Sequence, residues 1–369
     1  MTINAVKFIK FMLNQNQKGS VQFFDIDETK TIYELKSGSY KKVDTLGEGA
    51  FGKVLLVQKI SPDNEKALPE DSYYFALKIS KRFQKVKKGK KSAKEDGKNL
   101  EEVPKEINFV EIREISTLKN LSRSHHLNIV NMLDFKLEQT ETWILMEYLK
   151  TDLMKFYSLN KDNPKVMNEK FFKNISFQIL CGIDHLHSEL IIHRDIKLEN
   201  ILYDEENNIA KIGDFGLCRN LDYCLESQYT DVGTYPYKPP EVLLGEKKYT
   251  TAFDIWSIGC LLVQICTMSL LFGANDPVGV LRFMYDIFGS FNDNVFPGYK
   301  EMPNANLIAN LPEKAGIGLV EYIKQKQKFK FENEHFYDLI TKMLCINYAN
   351  RFTAQQCLSH AFFKEIDVI

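Results

Sequence analysis

Residues 47–54 read Gly47-Glu48-Gly49-Ala50-Phe51-Gly52-Lys53-Val54, three glycines at G-x-G-x-x-G spacing. With no side chains at those points, a backbone can approach phosphate oxygens closely. The spacing alone is a weak signal. Its dinucleotide-binding version opens a helix within a βαβ unit, whereas here apolar and β-branched residues (KVLLV) continue as a strand. The context favours a strand-turn-strand flap. One hairpin later, Phe75-Ala76-Leu77-Lys78 sets an ammonium in an apolar strand, where it can reach the same oxygens; a lone strand lysine is ordinarily an edge or surface residue. Further on, His193-Arg194-Asp195-Ile196-Lys197-Leu198-Glu199-Asn200 follows the apolar Leu190-Ile191-Ile192, and Asp214-Phe215-Gly216 comes 14 residues after Asn200. Either triplet alone could arise by accident. The two together, spaced behind a glycine loop and a strand lysine, leave little room for chance.

Such residues act only if elements hold them. From Tyr40 the pattern is strand-like (YKKVDTLGEG, KVLLV, YYFALKI), broken by glycines and by a polar loop with Pro62 and Pro69, so an antiparallel sheet is expected. Residues 107–121 carry Ile107, Val110, Leu118 and Leu121, with Ile112 and Ile115 between them, which is helical spacing. A second strand region, IVNMLDF and TWILMEYL, follows. Beyond Thr151 long helical segments take over (FFKNISFQILCGIDHLHSE, TAFDIWSIGCLLVQICTM, EHFYDLITKMLCI). A strand-rich first third before a helix-rich remainder predicts an α+β protein of two lobes, divided near Leu149–Asp152. Between them, residues 81–98 hold nine Lys or Arg against two acids, which predicts a solvated loop or disordered insert. In residues 1–39 the stripes Val6, Ile9, Leu13 and Phe8, Met12 fit a short amphipathic helix, read as a surface extension packed on the body rather than a partner-binding helix.

Composition bounds the rest. With 369 residues, 44% hydrophobic and 26% charged, the chain is globular in type, which excludes disordered, collagenous and small disulfide-stapled classes. The 48 basic against 49 acidic residues give no overall attraction to nucleic acid or membrane. Seven cysteines without a C-x-x-C offer neither a disulfide framework nor a zinc spacing, so a reducing cytoplasmic or nuclear setting is expected. No apolar run approaches the roughly 20 residues needed to span a bilayer, and Lys7 and Lys10 break the leading one, against a secretory signal. His125-His126 has no third ligand near and reads as a solvated turn, and Cys218 reads as a small packing residue.

At this point the chain resembles the eukaryotic protein kinases over roughly residues 40–363. Pro239-Pro240-Glu241 stands where that family has Ala-Pro-Glu, Asp254-Ile255-Trp256-Ser257-Ile258-Gly259 is similar to its central buried helix, and Arg351 falls where an arginine pairs with that glutamate. The resemblance implies a bilobal fold, with a small antiparallel β-rich N-lobe carrying one key helix and a larger, mainly helical C-lobe. The expected divisions are an extension at 1–39, the N-lobe at 40–149, the C-lobe at 150–363 and a tail at 364–369. It also implies transfer of the γ-phosphoryl group of ATP, with Mg²⁺, to Ser or Thr of protein substrates, a reaction catalysed by positioning and charge neutralisation.

The resemblance then gives each residue an expected role. Lys78 would hold the α- and β-phosphates, oriented by Glu114; Glu111 and Glu106 compete, but only Glu114 fits the I-R-E register. Asn200 and Asp214 would hold Mg²⁺. Asp195 would accept the hydroxyl proton, and Lys197 would stabilise the transferring group. Leu46, Gly47, Glu48, Gly49, Ala50, Phe51, Gly52, Lys53 and Val54 would cover ATP. Met146, Glu147 and Leu149 would bound the adenine, Met146 serving as back-pocket residue or plain core, and Asp152 would bind the ribose. Leu198 stands where proline is usual, a departure expected to affect loop stiffness more than chemistry.

Within the kinases the resemblance points to the cyclin-dependent type of the CMGC group, through Glu111-Ile112-Arg113-Glu114, Asp214-Phe215-Gly216-Leu217-Cys218-Arg219 and GSFNDNVFPGYKEMP at 289–303. It implies that Arg113, Arg194 and Arg219 converge on a phosphorylated activation-loop residue. The family threonine falls on Tyr229, with Thr230 next to it, so either is the expected site. A proline after the target is expected from Gly233, although Lys238 replaces the family's bracing arginine. A cyclin-type regulatory subunit is the partner the resemblance admits. The alternatives are a mitogen-activated type, whose paired sites would fall on Tyr229 and Asp231, and a pseudokinase scaffold, disfavoured because Lys78, Glu114, Asp195, Asn200 and Asp214 are all present.

Overall fold

The computed structural model describes residues 30–49, 52–60, 74–81, 83–86, 101–104, 109–138, 141–221, 233–248, 250–328 and 333–364. The stripe in residues 1–29, Ala50, Phe51, residues 87–98 of the basic run, Glu106, Tyr229, Thr230, Asp231 and the tail from 365 lie outside the described residues.

The first lobe is one antiparallel sheet. Strands β1 (Ile32–Leu35), β2 (Gly38–Gly49), β3 (Gly52–Lys59), β4 (Tyr74–Lys81), β7 (Met132–Leu137) and β8 (Glu141–Glu147) lie in the order β1-β2-β3-β4-β8-β7. A separate hairpin pairs β5 (Phe83–Val86) with β6 (Glu101–Pro104), and helix α1 (Phe109–Leu121) follows it. Strand alternation divides the sheet's two faces. Tyr33, Tyr40, Leu55, Val57, Leu77, Ile79, Trp143 and Leu145 form one buried cluster on the outer face. Ile144, offset by one residue, packs instead with Ile115, Leu118 and Leu121 of α1 in the core that continues into the second lobe. Residue Lys78 pairs in register with Ile144, and Ala76 with Met146. The alternation that buries Leu77 and Ile79 outside therefore turns Lys78 toward α1.

The second lobe is built on helices α2 (Leu153–Asn160), α3 (Glu169–Ser188), α4 (Pro240–Leu243), α5 (Ala252–Thr267), α6 (Pro277–Phe288), α7 (Leu319–Lys326), α8 (Glu334–Met343) and α9 (Ala354–Leu358). Two small sheets join them: β9 (Thr151–Asp152) with β11 (Ile201–Asp204) and β12 (Ile209–Ile212), and β10 (Ile191–Ile192) with β13 (Arg219–Asn220). Helix α5 is apolar on nearly every side and buried on nearly every side, as a central core helix must be. Gly259 lets it approach the loop after α8, since a Cβ there would lie 2.8 Å from Leu344 side-chain atoms. Among the described residues no helix is long and apolar enough to cross a membrane.

The bilobal α+β expectation is thus the architecture found. One local reading is extended and one corrected. The extension at 1–39 ends in a strand of the sheet, since Ile32–Leu35 pairs with β2 and Tyr33 is buried edge-on against Trp143, 5.1 Å between ring centres. Four residues were too short a run to show alternation. Nor is the basic run loop throughout: Phe83–Val86 forms a strand whose register sets Lys85 opposite Glu102. Charge counted over the whole run hid the pairing of its first turn of chain.

Candidate active site

Lys78 sits between two carboxylates. Its Nζ lies 2.5 Å from Glu114 Oε1 and 3.2 Å from Asp214 Oδ1. Glu114 reaches it from α1, where Glu111, Glu114, Ile115 and Leu118 share the buried stripe at i, i+3, i+4 and i+7. The competing Glu111 is otherwise engaged, accepting the Thr142 hydroxyl on β8 at 2.8 Å. Burial alone would pull the Lys78 ammonium down, but the charges of Glu114 and Asp214 more than offset it and hold its pKa above the ordinary value. Burial would likewise raise the Asp214 carboxyl, yet Lys78, then His193, hold it below the usual range. Asp214 stands at φ 55, ψ 77, in the left-handed region, and begins the turn Phe215–Leu217 against which α1 packs. This strained backbone keeps the Asp214 side chain about half exposed, at 51%, while Phe215 next to it is buried on His193.

The second cluster surrounds Asp195. Its Oδ1 accepts the Thr234 hydroxyl at 2.8 Å and the Thr234 N–H at 3.1 Å; its Oδ2 accepts Asn200 Nδ2 at 3.0 Å and lies 3.0 Å from Lys197 Nζ. Lys197 also donates to Thr234 Oγ1 at 3.2 Å. The carboxylate is thus fixed from both sides while 8% of the residue's surface remains open. The loop carrying it is held from beneath by Asp254, which opens α5. The fully buried Asp254 carboxylate accepts the His193 and Arg194 N–H groups at 2.9 Å each and pairs with His187 Nε2 at 2.9 Å. Arg194 takes φ 70 to present its N–H, and its Nε donates to Leu217 O at 2.6 Å, tying this loop to the Asp214 turn. His193 Nε2 lies 2.9 Å from Gly213 O, and the Gly213 N–H donates to Asn200 O at 2.8 Å. Both clusters are therefore parts of one hydrogen-bonded assembly. Sequence reading missed Thr234, for which the adjacent Gly233 was the only signal, and took Asp254 only as part of a helix motif.

The described residues of the glycine segment lie in two paired antiparallel strands. Leu46, Gly47, Glu48 and Gly49 end β2, Gly52, Lys53 and Val54 start β3, and Gly47 pairs with Val54 while Val54 pairs with Lys78. Gly52, at φ +137, could not be anything larger, since a Cβ would fall 2.0 Å from Ile79 O on β4. Met146 and Glu147 close β8, and Met146 packs half-buried against the main core. The Glu147 carboxylate turns to Asn131 N–H (2.6 Å) and Lys211 Nζ (3.0 Å), and Leu149 follows half-buried. Asp152 caps α2, accepting the Lys155 N–H at 2.8 Å.

Of the regulatory set, Arg219 lies on β13, paired in register with Ile192 of β10, Arg194 follows β10 with its Nε on Leu217 O, and Arg113 is exposed on α1. Gly233 has φ +84, and a Cβ on it would fall 2.5 Å from Arg194 O. Glu241 and Arg351 form a buried two-pronged pair at 2.8 and 3.0 Å, with Arg351 stacked on Trp256 at 4.9 Å. Cys218 is fully buried, and burial pushes its thiol well above the ordinary range, in keeping with a packing role. His126 stacks on His185 at 4.8 Å, and no group of three metal-ligating side chains occurs among the described residues.

Comparison with known proteins agrees with this geometry. Residues 40–363 match the protein kinase domain family, and the chain belongs to it. It is 32% identical over 329 residues to a probable cyclin-dependent kinase 10 of Dictyostelium discoideum, covering 89% of this chain and 79% of that one. It is 29% identical over 331 residues to cyclin-dependent kinase 1 of Encephalitozoon cuniculi, covering 90% and 98%. To cyclin-dependent kinase B2-1 of rice (Oryza sativa subsp. japonica) it is 28% identical over 333 residues, covering 89% and 90%. Within the family, it is a protein serine/threonine kinase of the cyclin-dependent-like type.

Proposed function

We propose that this kinase transfers the γ-phosphoryl group of ATP to protein Ser or Thr through the two clusters above. The observation that carries the reading is the single ammonium of Lys78 shared between Glu114 and Asp214. Lys78 holds donor phosphate oxygens, and Glu114 fixes its direction. The donor set suits Mg²⁺, which takes few protein oxygens and the rest from phosphate and water: Asp214 offers a half-exposed carboxylate, and Asn200, whose Nδ2 is spent on Asp195, offers its amide oxygen. Bound there, Mg²⁺ would neutralise charge on the phosphates. Asp195 takes the proton of the substrate hydroxyl as that oxygen bonds to the transferring phosphorus, and Lys197 stabilises the charge in transit. The glycine flap of residues 46–54 covers the phosphates, Met146, Glu147 and Leu149 bound the adenine, and Asp152 meets the ribose. In a radiolabelled ATP transfer assay, Asp195→Asn should lower the rate by roughly 10²–10⁴-fold. Equal rates for wild type and variant would leave a binding scaffold in its place.

Regulation follows the same reading. Arg113, Arg194 and Arg219 receive a phosphate on Tyr229 or Thr230, which orders the loop. A fully active preparation whose mass spectrum shows both residues unmodified would overturn this. Gly233 at φ +84 supports acceptance of a proline after the target residue, to be checked on peptides varied at that position. The cyclin-dependent relatives support a cyclin-type subunit as partner, recoverable by co-purification from native cells.

A further inference from the structure

The loop of residues 122–128 leaves α1, which carries Glu114, and lies against the second lobe before β7 begins. It meets α3 at Gln178, Gly182 and His185, positions i, i+4 and i+7 of one helical face. Asn128 donates its side-chain amide to Gln178 Oε1 and to Ala210 O, at 2.9 Å each. At Gly182 a Cβ would fall 2.8 Å from Asn128 O, so only glycine permits this approach. The third contact is the ring of His185, stacked on His126 with 4.8 Å between centres and 12° between planes. Two basic side chains are therefore set face to face where the lobes join.

The hydrogen bonds assign their protons. His126 Nδ1 accepts the Asn128 N–H at 3.1 Å, so in this arrangement Nδ1 is bare and the ring is neutral. Ser124 Oγ spends its own proton on Leu121 O, at 2.7 Å, and lies 2.8 Å from His185 Nε2, which must therefore carry the proton it donates. His185 keeps that bond whether neutral or charged. His126 does not, because a proton on Nδ1 would meet the Asn128 N–H. The surroundings act in the same direction. Burial, the facing His185 ring and Lys211 of β12 all disfavour a charged His126, and Asp184 of α3 favours it; together they hold its pKa below the ordinary histidine value. Lys211 is itself bound by Glu147 of β8, and the loop's own Arg123 and His125 are exposed.

We infer that the His126–His185 stack is a pH-sensitive latch between the lobes: protonation of His126 breaks its bond to the Asn128 N–H, opposes the stack and loosens the hold of α3 on the loop behind α1. Because the opened chain binds the proton more readily, the latch is closed above about pH 6.5 and weakens as pH falls below it. Its consequence for catalysis rests on the kinase reading, through the seat of Glu114 on Lys78.

The test compares the full-length wild type with His126→Asn, whose Oδ1 can take the Asn128 N–H without titrating, and with His185→Phe, which keeps a ring in the stack without a charge. Thermal unfolding and Mg-ATP-dependent phosphorylation of a Ser-Pro peptide are each followed between about pH 8 and pH 5. The ratio of wild-type to His126→Asn kcat/KM should fall about two- to tenfold across that range, as the loss of one hydrogen bond implies. The wild-type unfolding midpoint should drop further than that of His126→Asn. His185→Phe should fall by an intermediate amount, since its facing ring is neutral while the conflict at Nδ1 remains; it also carries the comparison if His126→Asn does not fold. Unfolding curves that run parallel at every pH would overturn the latch and leave the kinase reading intact. Curves that diverge with a constant kcat/KM ratio would overturn its link to α1. Absent phosphorylation at every pH would remove the kinase reading, and the unfolding curves would still decide the latch.

Discussion

Asp254 shows how one side chain can hold a catalytic loop without touching substrate. Three donors meet its buried carboxylate, from His193, Arg194 and His187. Burial by itself would raise its pKa; His187 above all, then His193 and the Arg194 N–H, hold it below the usual carboxylate range. A carboxyl with a folded pKa below its unfolded value of about 3.9 contributes stability that is complete above about pH 4 and is lost as pH falls through the folded value. Asp254→Asn keeps the shape and removes the charge. It should cost roughly 2–4 kcal/mol at neutral pH, and denaturant melts between pH 7 and 3 should show that gap narrowing below about pH 4. A constant gap would mean that Asp254 is not ionised in the folded protein.

At the scale of elements, the β2–β3 flap and helix α1 do the positioning. Two glycines of the flap, alike in sequence, carry unlike demands. Around Gly47 a Cβ would meet nothing within 4 Å, whereas at Gly52 it would strike the backbone of Ile79 from a left-handed φ. Gly52→Ala should therefore destabilise the protein by about 1–3 kcal/mol and raise the KM for ATP, while Gly47→Ala should leave stability within about 0.5 kcal/mol of wild type. Thermal unfolding of the two variants side by side checks this. In α1, Glu111 and Glu106 competed in the sequence with Glu114 for Lys78, and the I-R-E register chose Glu114. The packing of the helix on the sheet gives the two acids separate partners, Thr142 of β8 for Glu111 and Lys78 of β4 for Glu114.

Across the whole molecule, Glu241 and Arg351 lie 110 residues apart in sequence and join α4 to the segment after α8. Removing either partner alone leaves a buried unpaired charge, so Glu241→Ala and Arg351→Ala should each cost about 3–5 kcal/mol. Because both remove the same contact, the double variant should fall short of their sum by more than about 1 kcal/mol in denaturant unfolding. Such pairs mark the limit of what was legible. The sequence by itself determined the two-lobed α+β architecture, the flap, Lys78 on its strand, and the Asp195, Asn200 and Asp214 positions, because each rests on local period or short spacing. It did not show β1, whose four residues are too few for a pattern, or the pairing of Lys85 opposite Glu102 inside a charge run. Nor could it show the grip of Thr234 on Asp195 or the seat of Asp254 beneath the catalytic loop. Those depend on contacts between segments distant in the chain, and only the packing of the lobes decides which distant side chains become neighbours.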